Sequence, residues 1–162
     1  MSRILLGNKK GYLLLEVLAV SSIIGIVMAG LLSLAFLSLK LSSSSKKTIT
    51  ANYLAQETME AVRSFKKNTD WNPAGLGSLS SGLDYHMEII SSEWEAVSGS
   101  ETSGIFERSF QVENVSRNPL TGNIEESYNP ANNDSETKKI IVAVLWESRE
   151  VELESYFTNW EP

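Results

Sequence analysis

The order of apolar and polar positions divides the chain into an apolar front, a two-sided middle and an alternating rear. From Val17 to Leu39 there are 23 residues with neither charge nor proline. As a helix rising about 1.5 Å per residue, this run is about 35 Å long, enough to cross a hydrocarbon core of about 30 Å with some tilt. The segment LSSSSKKT follows and reads either as a linker or as more helix, since serines lower helix propensity. Helical spacing then resumes: Ala51, Leu54, Ala55, Thr58, Met59, Val62 and Phe65 fall at three- and four-residue steps and share one face. Charged residues such as Lys46, Glu57, Glu60 and Arg63 fall largely outside that stripe. If the serines stay helical, one helix runs from Tyr12 to Lys67 and ends before the turn-rich NTDWNPAG. Its rear face then requires cover.

Strand patterns behind the helix supply it. Residues 73–83 are rich in glycine and serine and read as loop. Tyr85, Met87 and Ile89 alternate with His86 and Glu88. Phe106, Arg108, Phe110 and Val112 alternate with Glu107, Ser109, Gln111 and Glu113, a second strand. Residues 116–137 have turn composition throughout. KIIVAVLW, Lys139 to Trp146, is a nearly continuous branched apolar run, which predicts a central strand covered on both faces. A polar turn, Glu147 to Glu150, leads to VELESYF, with Val151, Leu153 and Phe157 on one side, and completes an antiparallel hairpin. The expected class is α+β: a long N-terminal helix packed on a small antiparallel sheet. The expected segments are a leader over 1–11, a membrane half-helix over 12–39, an amphipathic half-helix over 40–67 and a sheet over 68–162.

Charge alters the picture at the front. The chain has 14 basic and 20 acidic residues, net -6. Arg3, Lys9 and Lys10 all precede Gly11, so without residues 1–11 the balance is 11 against 20, or -9. An acidic body argues against a non-specific nucleic-acid surface, and Lys138 and Lys139 do not overturn that. Three basic residues flank each end of the apolar run (Arg3, Lys9, Lys10; Lys40, Lys46, Lys47), so counting permits, without imposing, a cytoplasmic N-terminus. A cleaved secretory signal is the competing reading, and Ser33-Leu34-Ala35 has the small-x-small pattern. Signal cores run only about 7–15 residues, which favours a membrane helix.

Candidate chemistry is sparse. With no cysteine there is no disulfide, thiol nucleophile or cysteine metal site. The one histidine, His86, sits mid-strand, and no phosphate-binding glycine loop occurs. No cofactor is implied, and an enzyme is not the expected class. Asn132, Asn133, Asp134 and Glu136 offer hard oxygen ligands for calcium within 129–136, with the spacing of no defined calcium loop. Trp71, Trp94, Trp146 and Trp160 are too scattered for a ligand cage and read as core or edge packing. Glu16 is the anomaly: a carboxylate deep in a membrane helix costs about 2.5–3.5 kcal/mol or more. Either it reaches the interface, with Lys10 about 9 Å away along a helix, or it meets a specific partner.

Lys9-Lys10-Gly11-Tyr12-Leu13-Leu14-Leu15-Glu16, followed by the apolar run, resembles the processing site of the type IV pilin and pseudopilin precursor family. In that family a short basic leader ends in glycine, and a glutamate stands five places later. The resemblance implies cleavage after Gly11 by a prepilin peptidase, which also methylates the new amino terminus at Tyr12. It implies a type IV pilin-like fold, insertion in membrane lipid with the N-terminus in the cytoplasm, and passage through an inner-membrane assembly platform into an extracytoplasmic filament. The partners it implies are other pilin or pseudopilin subunits, met through the N-terminal helix. A free α-amino group, with a pKa of about 7.7–8.0, is cationic at neutral pH. Paired with Glu16 of a neighbour in an apolar bundle, it offsets two costly burials and sets axial register. At the level of pattern, the rear half is similar to the type IV pilus modification protein (PilV) group and to the I-type pseudopilins of type II secretion. The chain departs from many major pilins in lacking a C-terminal cysteine pair and in having Ser33 where a helix-breaking proline is common. Two alternatives keep the same architecture: a single-span anchored binding or sensory protein, and a DNA-capturing tip pilin.

Overall fold

The computed structural model describes residues 9–160, with side chains from Tyr12 onward. Its first element is helix α1, Lys9–Asn68. Six strands follow: β1 Asp84–Ile90, β2 Glu93–Ser98, β3 Glu101–Ser103, β4 Phe106–Ser116, β5 Asn133–Trp146 and β6 Arg149–Thr158. The chain forms two compact units that meet between Lys46 and Lys47.

The first unit is the front of α1. Every residue from Tyr12 to Ser43 is exposed, because the run is apolar all round and no second element packs on it within the unit. Its polar hydroxyls are already satisfied. Ser21 and Ser22 donate to the carbonyls of Val17 and Leu18 at 2.6 and 2.7 Å, and Ser33 donates to Ala29 O at 2.9 Å. Such back-bonding lets serine sit in a helix without water. The LSSSSKKT segment is helical.

In the second unit the rear of α1 buries the predicted stripe, with Ala51, Ala55, Thr58, Met59, Val62 and Phe65 all covered and Ala61 added to it. Leu54 is half-buried against the same core. Thr69 Oγ1 donates to Phe65 O at 2.7 Å and closes the last turn, where Lys66 and Lys67 complement the negative helix end. The chain then reverses through a short 3-10 turn, Leu76–Ser78. Within residues 73–83, read as plain loop, Leu76 is fully buried. Gly77 permits this: its amide donates to Trp71 O at 3.0 Å, and a Cβ there would lie 2.4 Å from the Trp71 indole.

The sheet is antiparallel in the order β2-β1-β4-β5-β6, with β3 also paired to the start of β4. Its inner face sets Phe110, Val112, Ile140, Val142 and Val144 against the helix stripe, all of them fully buried. Each contributes about 1.5–3 kcal/mol relative to exposure. Two expectations require correction. KIIVAVLW is covered on one face only: Ile140, Val142, Val144 and Trp146 are buried, while Leu145 on the other face is 42% exposed. A single helix can cover only one side of a sheet. Strand β5 begins at Asn133, inside the stretch read as turn, because its polar start pairs with Val115 and Ser116 across a register shift at Asn114. Ile89 shares a side with Tyr85 and Met87 but is 62% exposed. Strands β2 and β3 were not legible as separate strands in the sequence.

Candidate functional site

The front of α1 carries the residues singled out by sequence. Lys9, Lys10 and Gly11 form its first helical residues, and their side chains lie outside the described ones, as does all of 1–8. Tyr12 is 83% exposed, and Glu16 follows one turn later on the same face. Leu13, Leu14, Leu15, Val17 and Leu18 surround them, all exposed. After Lys10 the next basic residue is Lys40, so the carboxylate stands about 36 Å along the helix from that cation. An apolar surface around one carboxylate is suited to burial only where a cation arrives from elsewhere. Among the described residues, α1 is the one helix long and apolar enough to cross a membrane, with a best-window mean hydropathy of 2.4.

The remaining candidates lie in the second unit. His86 lies half-buried on β1, with Nδ1 3.3 Å from Gly99 O. Of the proposed calcium donors, Asp134 accepts from Arg117 Nε at 2.5 Å and from the Glu136 amide at 3.0 Å. Glu136 accepts from Asn159 Nδ2 at 2.6 Å, and Asn132 donates to Glu125 at 3.0 Å. Burial alone would raise the Asp134 carboxyl, but hydrogen bonds from Arg117, Thr137 and the Glu136 backbone hold it below the usual carboxylate range. No group of three or more His, Asp or Glu side chains gathers to hold a metal among the described residues. Trp71 and Trp146 are buried, Trp94 packs against the core, and Trp160 is exposed.

The basic spots at Lys138 and Lys139 are consumed within the sheet. Lys138 is buried and donates to Asn114 Oδ1 at 2.6 Å, and desolvation lowers its pKa. Lys139 pairs with Glu154 at 2.8 Å and Glu113 at 3.7 Å. Arg108 is held between Glu101 and Glu57, at 2.7 and 3.4 Å, and so ties β4 to the helix. Lys47 pairs with Glu147 in the β5–β6 turn.

One feature of the second unit had no sequence signal. A concavity of about 310 Å³ lies on the outer sheet face, with Asp84, Glu107, Glu150 and Glu152 at its rim. Four strands contribute to it, so no local spacing marks it. No family model, no curated protein and no solved structure matches this chain.

Proposed function

We propose that this chain is a structural subunit of a type IV pilin-like filament, a minor pilin or pseudopilin, cut after Gly11 and assembled through the front of α1. The observation that carries this reading is the order Lys9-Lys10-Gly11-Tyr12, then Glu16, at the head of an apolar helix. Two features of the architecture support it. The helix front is exposed on every side and so suits lipid first and a bundle of like helices later. The second unit builds its core from the helix rear and an antiparallel sheet.

In this mechanism the peptidase cuts on the cytoplasmic side and creates an α-amino group at Tyr12. Withdrawal of the helix from lipid into the filament removes water and headgroups from both Glu16 and that amine. Each is then compensated by the other on adjacent subunits, so a subunit displaced along the axis loses the pair. Breaking a buried pair by removing one partner costs about 3–5 kcal/mol.

The test is the mass of the chain recovered from its own membranes and shear fraction. The expected species begins at Tyr12 and carries one added methyl group. An intact Met1 in assembled material overturns the proposal and leaves a single-span anchored binding protein. Glu16→Ala is expected to be cut normally yet almost absent from filaments, and normal incorporation of that variant removes the proposed role of Glu16.

A further inference from the structure

The apolar run of β5 holds more hydrophobic surface than the fold uses. Its inward residues face α1, while Ile141, Ala143 and Leu145 point the other way, onto a face that no described element covers. Register places each of them between residues of the two flanking strands. Leu145 lies between Glu107 of β4 and Glu150 of β6, Ala143 between Ser109 and Glu152, and Ile141 between Gln111 and Glu154. The result is an apolar floor one strand wide, deepest at the small Ala143. Its walls stand about 10 Å apart, two strand spacings.

The walls carry one sign of charge. Glu107 accepts from the Ser100 hydroxyl, and Asp84 accepts from Gln111 at 2.9 Å and Ser109 at 3.4 Å. Glu150 and Glu152 are exposed. Lys139, at the far end of the face, is committed to Glu154 and Glu113. That charge selects the occupant. Nucleic acid and anionic headgroups are repelled. A second copy docked face to face would set glutamate against glutamate. A cationic segment gains on both walls while its apolar side chain covers the floor.

We propose that the outer sheet face is a docking surface for a lysine- or arginine-rich segment of a partner protein. An apolar side chain seats over Ala143, and basic residues reach Glu107 and Asp84 on one side and Glu150 and Glu152 on the other. This surface belongs to the second unit and does not depend on cleavage at Gly11.

The test uses the full chain in zwitterionic micelles and a labelled octapeptide of lysines and arginines around a single leucine. Fluorescence anisotropy is read against protein-free micelles. Binding is expected at about 0.05 M salt and should fall steeply by about 0.5 M. The double variant Glu150→Gln/Glu152→Gln should weaken it about ten-fold, since two exposed charge pairs are lost. Ala143→Arg should abolish it. Glu93→Gln/Glu95→Gln removes the same charge from β2 and should leave it unchanged. If that control weakens binding equally, the attraction is to net charge alone and the site is refuted. Wild-type affinity in the Glu150/Glu152 variant, or no binding by the unaltered chain, also overturns the proposal. A concentration-dependent dimer in sedimentation that Ala143→Arg dissolves would assign the face to a second copy instead. If Ala143→Arg does not fold, the glutamine variants decide the matter, because their side chains are exposed and leave the core intact.

Discussion

At the scale of single residues, Asp134 shows how a plausible ligand becomes a structural tie. Its carboxylate receives Arg117 Nε, while Nη1 and Nη2 of the same guanidinium reach Gly122 O and Thr137 Oγ1, at 3.0 and 3.2 Å. The β4–β5 connection is therefore organised around one charge pair. The folded pKa of Asp134 is depressed, so its stabilisation is fully present above the unfolded value of about 3.9 and is lost as pH falls through the lower folded value. Asp134→Asn should cost about 1 kcal/mol near pH 7, an amount discounted for the solvent exposure of Arg117. Urea denaturation should show the gap between parent and variant narrowing as pH falls below about 3.9, and a constant gap would refute the assignment. The sequence offered Asp134 to calcium because ligand spacing is local, whereas Arg117 lies 17 positions upstream. Gly11, Tyr12 and Glu16 stood out in the sequence for the opposite reason: their spacing lies within one helix.

At the scale of elements, the helix and the strands differ in what declares them. The stripe from Ala51 to Phe65 repeats over four turns, so its buried face could be read directly. The β1–β2 hairpin escaped because its turn is Ser91-Ser92, without the Asn-Gly signature of a two-residue turn. Both serines adopt positive φ, at 55° and 73°. Replacing them by Asn-Gly should stabilise the unit by about 0.5–1 kcal/mol, because that pair adopts the left-handed region at lower cost. A thermal melt should show a rise of a few degrees, and an unchanged or lower midpoint would mean that the turn geometry is not limiting. Strand β5 starts earlier than its apolar run because pairing to β4, not hydrophobicity, defines its first residues.

At the scale of the whole molecule, all buried apolar residues among the described ones belong to the second unit, the first of them being Ala51. A chain beginning at Ser43 retains that core and a serine to cap the shortened helix. It should be soluble without detergent and unfold cooperatively within about 5 °C of the full chain in micelles. Aggregation or a non-cooperative melt of that fragment, followed by circular dichroism, would mean that the front of α1 supports the fold. By itself, the sequence determined the helix, its apolar front, the position of Glu16 five places after Gly11, and the α+β class. Each of these depends on local periodicity or spacing, which chain connectivity preserves. Only the tertiary structure decided which side of β5 is covered, which cations are already paired, and that Asp84, Glu107, Glu150 and Glu152 rim one concavity. Those facts depend on strand register, and register is settled by contacts between residues far apart in the chain.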